Sequence, residues 1–427
     1  MGQMKLMANA QFKTEVLIGG GGMVGQTLAL ALDSAGVSVA MVDAATPSET
    51  LAKNFDGRAF AIAFASYRMW RALGLADQLD PVAQPIRQIM VTDGRPGGGA
   101  RPGGPSLLHL HFDGAELDAS EVEPLGLMLE NRYIRLALDE AVRARPSIKL
   151  IAPMAITALE RDGAGVTATL ADGRGLRANL LIGADGRRSF VRQWCGIKTV
   201  GRDYNVTALV ATVTHERPHN GVAYEYFLPS GPFAILPLKG NRANIVWAEK
   251  PAAAEALLKM AKPDFLIELG KRFGDFLGEL DLEGPRFGYP LSLQMAERMI
   301  DPRVALAGDA AHAIHPIAGQ GLNLGLKDVA ALAECIADSV ALGLDPADIA
   351  GLERYQRWRR FDNVAMAAGT DFFDRLFSND IAPIRVARRL GLGAVNAVGP
   401  ARRFFMRYAG GAAGDLPKLL RGESLAA

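Results

Sequence analysis

The sequence predicts an α/β fold: a Rossmann-type dinucleotide-binding domain, an inserted antiparallel β-sheet and a helical C-terminal region. Three observations carry this expectation. They are a βαβ unit with a glycine-rich turn, a central run of short β-branched and aromatic segments, and a late strand followed by a long amphipathic helix.

The first signal lies in residues 14–43. Glu15-Val16-Leu17-Ile18 reads as a strand, Leu28, Ala31, Leu32 and Ala35 mark a helix, and Val37, Val39 and Met41 alternate with Ser38 and Ala40 as a second strand. The turn is Gly20-x-Gly22-x-x-Gly25, and Asp43 closes the second strand 23 positions after Gly20. The first glycine allows a sharp turn, the second lets a pyrophosphate approach the backbone, and the third lets helix and strand pack closely. Phosphate charge is favoured at the helix amino terminus, and Asp43 can accept from both ribose hydroxyls of an adenosine. The unit is expected to bind a dinucleotide, and this spacing suits FAD and NAD alike.

Twelve residues from Gly94 to Pro105 comprise six Gly, three Pro, two Arg and one Ala, which predicts a surface loop. Residues 205–213, 222–228, 233–238 and 243–247 are short, β-branched or aromatic, and separated by Pro, Gly, His or Asn. They predict an antiparallel sheet set into the first unit. Val304-Ala305-Leu306-Ala307 then reads as a strand. On the helix after it, Leu322, Leu326, Val329, Ala333, Ile336 and Val340 form one buried stripe. The expected division is a discontinuous nucleotide-binding domain (10–78, 128–198, 290–372), a substrate domain (79–127, 199–289) and a C-terminal helical region (373–427).

Composition narrows the function classes. Hydrophobic residues make up 49% and charged residues 22%, which excludes disordered, collagen-like and coiled-coil chains. Forty-seven Lys and Arg against 46 Asp and Glu leave a net charge of +1, without the basic footprint of a nucleic-acid binder. Cys195 and Cys335 stand alone, so neither a disulfide framework nor a zinc site is expected, and the natural compartment is the cytoplasm. No export signal is visible, and no apolar run reaches the roughly 18 residues of a membrane span. Any membrane contact is expected to be peripheral, on the inner face.

Two further motifs follow apolar strands. One is Leu180-Leu181-Ile182-Gly183-Ala184-Asp185-Gly186, with Ser189, Val191 and Arg192. The other is Gly308-Asp309-Ala310-Ala311-His312, with Pro316 and Gly319-Gln320-Gly321-Leu322-Asn323. Carboxylates at strand ends beside small residues let a ligand approach the backbone, and residues 319–322 supply consecutive amide donors at a helix start. Taken singly, Asp185 and Asp309 could equally be helix caps.

With these three motifs in this order, the chain resembles the class A flavoprotein aromatic monooxygenases of the para-hydroxybenzoate hydroxylase fold over almost its whole length. Shorter stretches resemble the ubiquinone-biosynthesis hydroxylases, which hydroxylate polyprenylated phenols. These are Asp56-Gly57-Arg58-Ala59-Phe60-Ala61-Ile62, Leu129-Glu130-Asn131-Arg132, Ala223-x-Glu225-x-Phe227 with Gly231-Pro232, Pro290-Leu291-Ser292-Leu293, His312-x-x-His315-Pro316 and Arg360-x-Asp362-Asn363.

The resemblance implies a Rossmann-type FAD-binding domain, with Gly20, Gly22, Gly25 and Asp43 on the ADP part of FAD. It implies that Arg58 and Arg132 contact FAD, that Asp185 serves both FAD and NAD(P)H, and that Gly308 and Asp309 hold the ribitol. Gly319, Gln320, Gly321 and Leu322 would flank the isoalloxazine ring, and Pro316 and Asn323 would also belong to the cofactor site. O2 would be the co-substrate, activated as a flavin C4a-hydroperoxide, and the electron donor NAD(P)H or a protein. The implied substrate is a lipid-soluble polyprenyl phenol, and the implied partners are other ubiquinone-biosynthesis proteins. Alternatives are an FAD-dependent reductase or dehydrogenase of a prenyl lipid, and a non-catalytic prenyl-binding protein of the same fold. Gly19, Met23 and Asp43 depart from the family's commoner residues at their positions, and Asp43 is a methylene shorter than the usual Glu.

No catalytic base stands out. His312 and His315 have no third ligand, so a metal is not expected. Glu225 and Trp247 suit structural and substrate-facing roles equally, and Cys195 reads as a small buried residue. Residues 385–427 carry eight basic and two acidic residues around Phe404, Phe405, Met406 and Tyr408. They predict a solvated helical face with core aromatics or, less simply, a surface that docks on an anionic membrane.

Overall fold

A computed structural model describes residues 10–45, 57–93, 109–117, 124–228, 231–313, 320–377 and 396–426. The predicted loop at 94–105 lies outside the described residues. From the amino end come β1 (Ala10–Gly19), α1 (Met23–Ser34), β2 (Val39–Val42), β3 (Ala59–Ala63), α2 (Phe64–Ala72) and α3 (Ala76–Leu79). Next are β4 (Gln84–Ile86), β5 (Gln88–Asp93), β6 (His109–Asp113), β7 (Gly126–Glu130), α4 (Asn131–Arg143) and β8 (Ile148–Ile151). Then follow β9 (Ile156–Asp162), β10 (Gly165–Leu170), β11 (Gly175–Gly183), α5 (Phe190–Trp194), β12 (Thr199–His215) and β13 (Val222–Leu228). The chain continues with β14 (Gly231–Leu238), β15 (Arg242–Glu249), α6 (Pro251–Lys259), α7 (Lys262–Phe273) and β16 (Leu280–Ala296). It closes with β17 (Ile300–Asp301), β18 (Val304–Leu306), β19 (His312–Ala313), α8 (Gln320–Ala341), α9 (Ile349–Phe377) and α10 (Gly399–Ala409).

The predicted βαβ unit is β1–α1–β2, and it seeds a parallel sheet in the order β18-β11-β1-β2-β8. Val16, Leu17 and Ile18 of β1 are fully buried, as expected for a parallel strand covered on both faces. The predicted stripe on α8 packs into the same core, with Leu326, Val329, Ala333 and Ile336 at 1% exposure or less. The two carboxylate motifs follow β11 and β18, so all three motifs emerge at the carboxyl ends of adjacent parallel strands. Ligands bind at that edge of an open α/β sheet.

The second sheet has the order β19-β16-β12-β15-β14-β13-β5-β6. It is antiparallel throughout except for β13 and β5, which run parallel. One face buries Phe233, Ile235, Ile245 and Trp247 against Leu257 of α6 and Phe265, Leu269 and Phe273 of α7. A third, small sheet, β3-β7-β4, lies between the two larger ones.

Some expected boundaries cut through elements. Position 128 falls in β7, position 290 in β16 and position 372 in α9. Hydrogen bonding carries a strand across a compositional border: β16 pairs with β12 from Leu280 to Ala296. Nor does the C-terminal segment stand apart, because Leu419, Leu420 and Leu425 pack in the core of the nucleotide-binding unit.

Candidate active site

The glycine turn is built by close approach. Gly20 has φ 111°, and a Cβ there would lie 2.3 Å from the carbonyl oxygen of Ala184, while one at Gly25 would lie 2.0 Å from that of Gly20. Neither position accepts a side chain without moving backbone. Gly22 is different: a Cβ there meets nothing within 4 Å, and the residue is the N-cap of α1 at the edge of the main cavity. That open space, over amides that have no intrahelical acceptor, could hold a phosphate. Asp43 closes the turn by accepting from the Gly21 N–H, and its other oxygen accepts from Ala45 N–H at 2.6 Å.

The cavity has a volume of about 430 Å³. Its nucleotide-side wall includes Gly22, Met23, Arg58, Asp309, Gly321 and Leu322. The Arg58 guanidinium sits 5.7 Å from the ring centre of Tyr289, which also lines the cavity. Asp309 reaches into the space; burial pushes its carboxyl above the usual carboxylate range, against the opposing pull of His312, Arg187 and Arg58.

The opposite wall is one face of the second sheet. Strand alternation sends every other residue of β14, β15 and β12 toward the cavity, and the register aligns them in rows. Pro232 pairs the row of Ala248 and Ala208, which ends at Tyr289; Glu225 starts the row of Ala234, Val246 and Val210; Leu236 neighbours Asn244. This face is mostly small and apolar, which leaves room for a flat ligand. Asn244 Nδ2 donates to the Gly57 carbonyl at 2.8 Å, tying the sheet to the segment that carries Arg58.

Beneath Asp309 lies a buried polar cluster. Asp328 Oδ2 accepts from Gly308 N–H at 3.0 Å and meets His312 Nε2 at 2.5 Å, while its Oδ1 accepts from Arg359 Nε at 2.9 Å. Burial pushes the Asp328 carboxyl up, but His312 and Arg359 together outweigh burial and hold it below its ordinary value.

A family model described as FAD binding domain matches residues 13–368. The ubiquinone hydroxylase UbiL of Rhodospirillum rubrum is 50% identical over 414 residues, covering 96% of this chain and 93% of the relative. The 3-demethoxyubiquinol 3-hydroxylase of Escherichia coli is 36% identical over 398 residues, covering 93% of this chain and 98% of the relative. The chain belongs to this FAD-binding hydroxylase family. The fold of this family member also matches the crystal structure of p-nitrophenol 4-monooxygenase PnpA from Pseudomonas putida, with a TM-score of 0.75 at 22% identity, covering 92% of this chain and 97% of that one. The resemblance read from the sequence and the α/β fold are thereby upheld. FAD is the cofactor, and the open cradle at Gly22 beside Arg58 and Asp309 fits it.

Of the expected residues, Gly22, Arg58, Asp309, Gly321 and Leu322 line the cavity, while Gly20, Gly25 and Asp43 build the turn next to Gly22 and Gly308 precedes Asp309. Three other expected contact residues also bond within the protein. Asp185 Oδ2 accepts from Val191 N–H at 3.1 Å in the turn that Ser189 caps, its Oδ1 is buried without a partner among the described residues, and Ala184 and Gly186 line the cavity. Arg132 pairs with Glu130 at 2.8 Å at the start of α4 and does not line the cavity. Asn323 is buried; its Oδ1 accepts from Ala63 N–H and its Nδ2 donates to the Ala61 carbonyl, both at 2.8 Å, so it clamps β3 to α8. Gln320 opens α8, and Pro316, Gly319 and His315 lie outside the described residues. Asp328, Tyr289 and Asn244 were not singled out from the sequence. Neither spacing nor composition marks them, because each acts on a segment distant in the chain.

Trp247 proves structural. Its ring is fully buried against Phe233 and under the Arg272 guanidinium, 4.1 Å from the ring centre, on the face of the sheet away from the cavity. Cys195 is only half-buried and Cys335 is buried.

Proposed function

We propose that this protein hydroxylates the aromatic ring of a polyprenylated phenol in ubiquinone biosynthesis, with O2 as co-substrate and NAD(P)H or a protein as electron donor. The observation that carries the reading is the 50% identity to a ubiquinone hydroxylase across nearly the whole of both chains. The apolar cavity between the flavin-binding loops and the second sheet supports it, since it suits a hydrophobic ring and tail.

In this reading residues 10–45 and the parallel sheet form the FAD-binding unit, and the second sheet forms the substrate side. The amides at the start of α1 hold the pyrophosphate and Asp43 faces the adenosine ribose. Arg58 and Asp309 hold the middle of the cofactor, and Gly321 and Leu322 border its ring. Bound flavin supplies oxygen in a form electrophilic enough to attack a phenol. The chain's own contribution is to hold the ring against that site and to keep water out through Ala208, Val210, Ala234 and Val246. Without that exclusion, activated oxygen would be lost as H2O2.

The reading is tested by supplying 18O2 with a prenylated phenol and reduced protein. One 18O atom in the ring of the product is expected. Oxidation of the donor without ring-bound 18O would assign the protein to the reductases or dehydrogenases.

Peripheral membrane contact is proposed for α10. No described helix is long and apolar enough to cross a membrane. Phe404 is 58% and Phe405 39% exposed, between the exposed Arg403 and Arg407, a combination suited to an anionic lipid surface.

A further inference from the structure

Among the described residues, Glu225 is the only acidic side chain that the second sheet presents to the cavity. Its place follows from register. On β13 it pairs with Ala234 of β14 on one side and Val91 of β5 on the other, so it heads the row Ala234, Val246, Val210 on the cavity face. Its neighbours Tyr224 and Tyr226 turn to the opposite face and pack in the helix-covered core. The side chain is accessible to the cavity and otherwise enclosed by protein, with no hydrogen bond or ion pair to any described residue. The charged and titratable groups lining the same cavity are Arg58, Arg187, Asp309 and Tyr289. Arg187 donates to Ser292 Oγ at 2.8 Å, and Arg58 lies over the Tyr289 ring.

A carboxyl on an apolar wall without a partner costs stability unless a ligand supplies one. A phenol ring taken into the cavity would offer this carboxyl its hydroxyl. Resting on the reading above, we infer that Glu225 binds the phenolic O–H of the substrate and accepts its proton as the ring is hydroxylated. When oxygen adds to the ring, positive charge develops at the phenol oxygen and its O–H becomes acidic. That O–H bond breaks, its electron pair forms the ring C=O, and an O–H bond forms on Glu225. The C–H bond at the carbon that took the oxygen then breaks, its electron pair restoring the aromatic ring and its proton passing to the second atom of the O2, which leaves as water, while Glu225 returns its proton to the phenol oxygen. Burial pushes this carboxyl up to about 7, where a general base is poised for work near neutral pH.

The test uses the full FAD-loaded protein with 2-geranylphenol, comparing wild type, Glu225→Gln and Glu225→Asp. Three quantities are read: ring hydroxylation per O2 consumed, the pH profile of kcat/KM, and equilibrium binding of the phenol by ultraviolet difference spectra. In wild type, kcat/KM should rise with pH through about 7 and then level. Glu225→Gln should bind the phenol within a few-fold of wild type, lose roughly 10²-fold in hydroxylation, divert O2 to H2O2 and lose the limb near neutrality. Glu225→Asp should recover part of the coupling with a displaced limb. The Gln variant should melt at or above the wild-type temperature at pH 8, because it removes a buried charge, which separates a proton-transfer defect from misfolding. A Gln variant that keeps wild-type coupling and the same pH limb would overturn the assignment while leaving the hydroxylase reading intact. A wild-type protein that binds the phenol but makes no ring-hydroxylated product would overturn both.

Discussion

The backbone N–H of Gly308 donates to Asp328 Oδ2 across 3.0 Å, and this one bond fixes the loop that carries Asp309 into the cavity. Asp328 is fully buried and completes its bonding with His312 and Arg359, so the loop rests on a charged cluster that has no access to water. Removing Asp328 takes the acceptor from the buried Arg359 Nε, leaving that guanidinium only Asp362 and Asn363, and strips Gly308 N–H and His312 of theirs. Asp328→Ala should therefore cost about 3–5 kcal/mol of stability and release FAD, read by thermal melts and by free flavin fluorescence.

The same cluster sets an acid limit. The Asp328 carboxyl titrates below its ordinary value when folded, so its contribution is present above the unfolded pKa, about 3.9, and is lost as pH falls through the folded value. Wild type should lose stability steeply below about pH 4. Asp328→Asn should show a shallower acid limb in melts taken across pH 3 to 6.

The three fingerprint glycines should not behave alike. A methyl at Gly25 would meet the Gly20 carbonyl oxygen at 2.0 Å, whereas one at Gly22 enters open space. Gly25→Ala should lower stability by a few kcal/mol (about 2–4) through forced backbone displacement. Gly22→Ala should leave the apo melting temperature nearly unchanged and weaken FAD binding by about tenfold or more, because the methyl occupies the phosphate cradle. Equal losses of stability in both variants would contradict this division.

The two thiols should be poorly reactive. Burial pushes Cys195 up to about 11 and Cys335 up to about 12. At pH 8 only about one thiol in a thousand or fewer is ionised, so iodoacetamide should label neither within minutes in the folded protein and both after denaturation. Mass spectrometry of the two peptides reads the outcome.

On α10 the basic residues divide into two kinds. Arg402 pairs with Glu116 at 2.6 Å and donates to the Asn396 carbonyl, whereas Arg403 and Arg407 are exposed beside Phe404 and Phe405. Replacing Arg403 and Arg407 by Glu should reduce co-sedimentation with phosphatidylglycerol vesicles severalfold. Arg402→Ala should leave co-sedimentation unchanged and lower the melting temperature. Unchanged sedimentation of the double variant would remove the membrane reading.

Much of the fold and part of the site were legible in the sequence, and the division has a physical cause. The βαβ unit, the short central strands and the α8 stripe depend on local spacing: period two for a strand, period near 3.6 for a helix, and glycine where backbones must touch. Gly20, Gly22, Gly25 and Asp309 could be singled out because a turn or strand end places them whatever the remote partners are. The side chains of Asp185 and Asn323 stood in the right segments, but their final acceptors and donors, Val191 N–H, Ala63 N–H and the Ala61 carbonyl, belong to packing that no local pattern encodes.

Glu225 and Trp247 mark the limit most sharply. Each lies on a strand whose alternation was plain, yet alternation says only that neighbours face opposite ways, not which way is in. That choice is made when β13, β14 and β15 pair in register and α6 and α7 cover one face, burying Trp247 beneath them and leaving Glu225 on the cavity wall. Local spacing was enough for the elements, the glycine turn and the family resemblance. Which side of the second sheet faces the cavity was settled by packing, because burial of a face is a contest between remote segments for the same apolar surface.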